Sequence, residues 1–304
     1  MDYSALLIKM VIFAVLLSVG YVAARKGFLA PEFARSASWL LVNVFLVASI
    51  VNSVLGSRPD LPPKELWNAL LLLFAETILL YAVATACKML DHSEHAPQTL
   101  ILMSAVNNLF IGVPIVQTIS GSEAVFYIGL SCIPYNLFLY SYGVWNLKKD
   151  REKGGIRLKD IVSASLIAAL AALLIFVLDL HPPRLVTELF GTVSSATIPL
   201  SMIVIGATLG PVDLREAFSH KKIYILSLVR LVLTPLLGYF LLKPFVHNDV
   251  LLLSLFVILA CPSGAVNTPL SIQYGYDPTY SSEVIMVTTA LSMVTLPLLI
   301  YILF

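Results

Sequence analysis

Apolar residues run along this chain in long blocks with few polar interruptions, not at the spacing of a half-exposed helix or strand. About 20 residues of helix cross the hydrocarbon core of a bilayer, so blocks of this length read as membrane-spanning helices. They fall at residues 4–24, 35–55, 65–88, 97–119, 123–146, 160–179, 187–209, 221–243, 249–274 and 280–303, spans 1 to 10. Short connections at residues 25–31, 56–63 and 88–97 carry Pro, Gly or charge. The longest polar stretch, KKDREKGGIRLK at residues 148–159, sits at the midpoint and reads as a loop joining two halves of five spans, residues 1–150 and 151–304.

Composition agrees with the pattern: 59% of residues are hydrophobic and 12% are charged, against roughly 25% charged in soluble domains. The first block has no basic stretch before it and Arg25-Lys26 after it, so it is expected to be a first span, not a cleaved signal. Cys87, Cys132 and Cys261 lie inside apolar blocks without CxxC or Cys/His spacing, so neither a disulfide framework nor a metal site is expected. The five histidines fall in connections. Hydrolase, metalloprotease and nucleotide-binding signatures are absent, which argues against an enzyme and against an ATP-driven pump.

The basic residues orient the spans. Connections 1–2, 3–4, 5–6, 7–8 and 9–10, with the adjoining helix ends, hold Arg25, Lys26, Arg35, Lys88, Lys148, Lys149, Arg151, Lys153, Arg157, Lys159, Arg215, Lys221 and Lys222, 13 of the 19 Lys and Arg. The other side holds Lys9, Arg58, Lys64, Arg184 and Lys243. This bias puts the first side in the cytoplasm and both termini outside the cell, across the plasma or inner membrane. Five spans per half make the second half enter the membrane from the opposite side, the plan of inverted repeats. Two landmarks fit it. Pro114 and Pro269 are 155 positions apart (269 − 114), and Glu76 and Arg230 are 154 apart (230 − 76).

Spans 4 and 9 are each interrupted. Span 4 carries Asn107, Asn108, Gly112 and Pro114, and span 9 carries Pro262-Ser263-Gly264 followed by Asn267, Thr268 and Pro269. Proline removes a helix donor and glycine loosens the backbone, and the freed groups must face protein or a wet cavity. One such place alone is an ordinary kink. A pair at matching places in inverted halves points to a solute site. Two half-helix N-termini there would favour a carboxylate, although freed carbonyls would equally hold a cation. Asn43 and Asn136 are added as candidates because an amide needs several partners. The other polar residues of the spans, Asn52, Ser131, Ser195, Thr197 and Ser201, read as helix-packing glue. Tyr3, Trp39, Trp67, Tyr142, Trp145 and Tyr301 read as interfacial anchors.

Glu76 and Arg230 fall near mid-span, where a charge costs about 2.5–3.5 kcal/mol on insertion scales and needs a partner or a purpose. Either the two form a buried ion pair, or Arg230 meets the solute and Glu76 couples protons.

Several motifs together resemble the auxin efflux carrier family, which includes the plant PIN carriers and bacterial organic-anion permeases. They are Gly20-Tyr21 through Arg25-Lys26-Gly27-Phe28-Leu29; Asn107 through Pro114; Ala196-Thr197-Ile198-Pro199-Leu200 with Gly206 through Gly210; Arg230-Leu231 with Pro235; and Thr289 through Pro297. The resemblance implies an all-α integral membrane fold of ten helices as two inverted five-helix repeats, with crossed broken helices 4 and 9. It also implies a scaffold of spans 1, 2, 6 and 7, a transport domain of spans 3–5 and 8–10, and elevator-like movement between them. It departs from this chain in span 2, where Phe45-Leu46 is followed by Val47 and not by proline, and in the short central loop. The function expected is secondary transport of a small organic anion. A sodium-coupled symporter of the bile-acid type, a channel and a membrane receptor are the alternatives. The expected partners are the small-molecule anion and the lipid bilayer, with a homodimer left open and no nucleic acid. No cofactor is expected, and the coupling ion, H+ or Na+, is left open.

Overall fold

The computed structural model describes residues 3–56, 59, 61–148, 162–212 and 217–304. Most of the predicted central loop lies outside the described residues, as do Arg58 and Arg215. Among the described residues the regular structure is helical, with one isolated antiparallel bridge between Val106 and Ser263. The helices are α1 (Tyr3–Arg25), α2 (Pro31–Leu40), α3 (Leu46–Leu55), α4 (Pro63–Leu90), α5 (Ala96–Ser104), α6 (Val113–Phe138), α7 (Val144–Leu147), α8 (Ala164–Val177), α9 (Arg184–Ser195), α10 (Thr197–Leu209), α11 (Lys221–Leu228), α12 (Thr234–Leu242), α13 (Asp249–Ala260), α14 (Asn267–Gln273) and α15 (Pro278–Leu303). Wide π-turns at Leu41–Phe45, Asn108–Gly112, Leu139–Gly143 and Val229–Leu233 join or lead into several of them.

Seven helical stretches among the described residues are long and apolar enough to cross a membrane, and Ala164–Val177 and Asp249–Ala260 are shorter apolar helices. The stretch Asn108–Leu147 is 40 residues long, twice what one crossing needs. Its helix is interrupted at Gly121 (φ 69°, ψ −150°), inside the connection predicted at residues 119–123. Glycine suits that backbone because a Cβ disfavours positive φ. The predicted span at 160–179 is shorter than expected: Ser163 caps its N-terminus by accepting from the Leu166 amide at 3.1 Å, and the helix starts at Ala164.

The interior is apolar, but the surface is apolar too. Arg230 and Glu76 are fully enclosed, while Leu185, Trp67, Leu71, Trp145 and Val11 are more than 60% exposed. Exposed rows of large apolar side chains suit lipid. Helix α1 packs along α10, and the two backbones touch. A Cβ at Gly20 would lie 2.1 Å from the Ile203 carbonyl oxygen, and one at Gly206 would lie 2.0 Å from that of Leu17. Small residues permit this approach where no hydrophobic drive exists between helices in lipid.

The connections gather at two opposite ends. At one end Lys222 donates to Asp91 at 2.7 Å and to Ser93 at 2.8 Å. Gln98 donates to the Asp277 carbonyl at 2.7 Å, Arg25 reaches the Gly210 carbonyl at 3.4 Å, and Lys88 donates to Asn146. These bonds join the sides of the chain that the basic residues had grouped together. At the other end Asn248 donates to Glu123 at 3.0 Å and Asn68 to the Phe245 carbonyl at 3.4 Å. Burial alone would raise the Asp91 carboxyl, but hydrogen bonds from Lys222, Thr99 and Ser93 outweigh it and hold the group at about 2.

Two outcomes follow for purified protein. Gly206→Ala puts a methyl group into backbone, so its melting temperature falls by the equivalent of about 1–3 kcal/mol. A carboxyl depressed on folding stabilises above its unfolded value, about 3.9, and loses that contribution as pH falls through the folded one. Lys222→Met therefore lowers stability by about 1 kcal/mol near pH 7. The gap in melting temperature from the parent shrinks as pH drops from about 4 toward 2; a gap independent of pH would show that the Asp91 contact does not act this way.

Candidate functional site

Helix α5 ends at Ser104 because Ala105 turns extended (φ −84°, ψ 101°). Helix α13 ends at Ala260 because Cys261 does the same (φ −62°, ψ 145°). The two enter from opposite ends of the molecule: α5 begins beside Asp91 and His95, α13 beside Asn248 and Glu123. Where they stop, the unwound strands cross and pair antiparallel at Val106 and Ser263. The Asn107 amide donates to the Pro262 carbonyl at 2.9 Å, and the Gly264 amide donates to the Ala105 carbonyl at 2.7 Å. Ser263 Oγ donates to the Leu102 carbonyl at 2.6 Å, Asn267 Nδ2 to that of Ala105 at 3.2 Å, and the Ser263 amide to Thr288 Oγ1 at 3.3 Å. Backbone groups that would otherwise be bare thus pair with one another.

The bridge fixes the register between the two strands. Ala105 and Pro262, Val106 and Ser263, and Asn107 and Gly264 are each 157 positions apart (262 − 105). The separation of 155 between Pro114 and Pro269 is therefore not the register of the crossing. Pro114 and Pro269 do not make the breaks, whereas Pro262 lies inside the second one and drives the residue before it, Cys261, extended. Pro114 and Pro269 sit in the first turns of α6 and α14, where a missing amide is tolerated, and the unwinding lies upstream at Ala105–Asn107 and Cys261–Val266.

Of the predicted site residues, the crossing gathers Asn107, Asn108 and Asn267, all buried. Asn108 Nδ2 donates to Ser131 Oγ at 3.1 Å, so a serine read as packing glue holds a site asparagine. Asn267 Oδ1 is enclosed with no hydrogen-bond partner. Gly112 faces Cys261: a Cβ there would meet its Sγ at 3.2 Å. Thr268 is half-buried and shares a 3.3 Å contact with Ser282, and Pro269 is exposed. Asn43 and Asn136 turn inward on their own helices, donating to the Trp39 and Cys132 carbonyls at 2.8 and 2.7 Å. Neither of these bonds reaches the crossing.

The ion pair expected between Glu76 and Arg230 is not a contact pair. Both carboxylate oxygens of Glu76 are enclosed without a hydrogen-bond partner, as are Nε and Nη2 of Arg230, although each group feels the other's charge. Arg230 Nη1 donates instead to the Leu259 carbonyl. Matching positions placed the two in neighbouring helices, but rotation about each helix axis decides contact. Sequence reasoning placed Ser263 and Gly264 in the interruption without giving either a role, read Ser131 as packing glue, and passed over Leu259. The run of small residues after Cys261-Pro262 was the available signal. Gly264 is small because a Cβ there would lie 3.0 Å from the Val106 carbonyl oxygen.

A family model described as membrane transport protein matches residues 5–300. The chain belongs to that family. It is the auxin efflux carrier family that the motifs resemble, and its members are transporters embedded in the lipid bilayer. No curated protein gives a significant match.

Ser263→Ala leaves the Leu102 carbonyl without its donor in an enclosed place, which costs about 1–3 kcal/mol. The expected result is a lower melting temperature together with faster hydrogen exchange at residues 104–107. An unchanged exchange rate there would contradict the crossing described.

Proposed function

We propose that this membrane transporter is a secondary carrier of a small organic anion of the carboxylate class, working by elevator-type alternating access. In this reading ten spans form two inverted halves, and broken spans 4 and 9 cross at the solute site. The observation that carries it is the crossing itself. Two half-helices arriving from opposite ends and pairing where each unwinds are what inverted halves would produce. Unwound backbone at membrane depth is tolerated where it is enclosed in protein or lines a cavity. Asn107, Asn108, Asn267 and Thr268, with Gly112, Pro114 and Pro269 shaping the turns, are the proposed solute contacts. Asn43 and Asn136 are not carried into that set.

The division into two bodies has support in the polar contacts. Ser49 bonds to Ser194 and Thr197, and Arg25 to Gly210, all within spans 1, 2, 6 and 7. Lys222 with Asp91, Gln98 with Ser281, Asn248 with Glu123 and Arg230 with Leu259 tie spans 3–5 and 8–10. Among the described residues, contacts between the two sets are mostly apolar, such as Phe126 against Phe176 and Ile50 against Gly129; the Cys132 thiol beside Ser165 is a weak polar one. By the basic-residue bias, the end holding Lys222 and Lys88 faces the cytoplasm of a plasma or inner membrane, with the termini outside.

Arg230 is the buried cation near the crossing and favours an anion. A second reading has its own observation. The enclosed acceptors without partners, Glu76 and Asn267 Oδ1, favour a coupling cation, as in a sodium symporter. Uptake of radiolabelled small mono- and dicarboxylates and indole acids into proteoliposomes, under a proton gradient and separately under a sodium gradient, tests both. At least one carboxylate should accumulate, and Asn107→Ala and Asn267→Ala should each lower its uptake by about tenfold, one lost hydrogen bond to a charged group. Normal uptake by both variants would remove the site, and gradient dependence lost in Glu76→Gln would assign the coupling.

A further inference from the structure

At the register of the crossing, Leu102 and Leu259 are equivalent, 157 positions apart (259 − 102). Each is a last-turn carbonyl whose helical partner would be the amide four residues on. Val106 and Ser263 supply neither bond, because the chain has left the helix, and the Ser263 amide goes to Thr288. The two orphaned carbonyls are capped by different means. Leu102 receives a neutral hydroxyl, Ser263 Oγ, from the opposing strand of the crossing. Leu259 receives a guanidinium, Arg230 Nη1, from a π-turn outside the crossing.

We propose that Arg230 is the positioning residue of the crossing, the side-chain cap that fixes where the half-helix α13 ends. A helix C-terminus carries about half a negative charge. The cap therefore also gives the enclosed guanidinium an electrostatic partner, which the Glu76 carboxylate does not provide by contact. Only Ala260 separates the capped carbonyl from Cys261, Pro262 and Ser263, so the position of Leu259 sets the start of the strand that pairs with Val106. The Leu259 side chain also packs closely against Gly238, where a Cβ would meet its Cδ1 at 2.0 Å. Arg230 thus acts through the backbone of Leu259 on the geometry of the crossing, whatever solute binds there.

The chain carries its own probes. Cys261 is fully enclosed beside the cap, and Cys132 is equally enclosed in α6. The experiment follows N-ethylmaleimide labelling of the purified protein without solute, resolved at each cysteine by peptide mass. Losing a charged hydrogen bond that controls local opening predicts labelling of Cys261 about tenfold faster in Arg230→Gln, with Cys132 within about twofold of the parent. Arg230→Lys keeps a donor but loses the planar fork, so its rate at Cys261 falls between the two. A rise at both cysteines together, or no rise at Cys261, overturns the proposal, as does Arg230→Lys labelling as fast as Arg230→Gln. If Arg230→Gln does not fold, Arg230→Lys decides alone: faster labelling than the parent at Cys261 with Cys132 unchanged supports the cap, and any other result overturns it. Because no solute is present, failure here leaves the carrier reading standing, and failure of uptake leaves the cap standing.

Discussion

A peptide group in hydrocarbon must find its hydrogen bond inside the protein, and everything at the centre of this molecule follows from how two interrupted helices meet that demand. Each interruption frees amides and carbonyls that water cannot reach. Laying the two unwound strands across each other lets the amide of Asn107 meet the carbonyl of Pro262, and the amide of Gly264 that of Ala105. Neither break could be closed this way alone. The crossing also dictates residue size around it. Gly264 must let the Ala105–Val106 backbone approach, and Gly112 must leave room for the Cys261 thiol.

Much of this was legible in the chain, for identifiable reasons. Long apolar blocks report burial in lipid without knowledge of tertiary contacts, and the basic residues sort connections that the structure does bring together, as Lys222 with Asp91 and Arg25 with Gly210. The presence of two interruptions was readable too, and Pro262-Ser263-Gly264 marked the second, but the start of the first at Ala105 was not readable. Of the prolines and glycines that signal the interruptions, Pro114 and Pro269 occupy turns where a helix restarts and a missing amide is tolerated, while Pro262 and Gly264 lie in the second break itself. The actual unwinding at Ala105–Asn107 and Cys261–Val266 is stabilised by contacts more than 150 residues away, which no local pattern encodes.

Glu76 and Arg230 teach a related lesson. Charge depth said that each needs a partner, and equivalent positions suggested each other. That inference counts only side chains as partners. A helix end is a partial charge made of backbone, invisible in a list of charged residues, and Arg230 meets one at Leu259. The role of Ser263 was missed for the same reason: it satisfies the Leu102 carbonyl, a need that arises only once α5 is known to stop at Ser104.

In the carrier reading, the distribution of polar contacts has a mechanical consequence. Hydrogen bonds are directional and short in range, so a body tied by them resists internal rearrangement. The helices of spans 3–5 and 8–10 are tied in this way at the Lys222 end, at the crossing and at the Asn248 end. Van der Waals contact has no such direction, and each atom pair contributes only about 0.1–0.2 kcal/mol. A seam of mostly apolar contacts, Phe126 on Phe176 and Ile50 on Gly129, can therefore exchange one set of neighbours for another at little polar cost, such as the weak contact of Cys132 with Ser165. If the helices slide, the seam is where the penalty for sliding is smallest, and the crossing travels intact because its bonds lie wholly on one side of it.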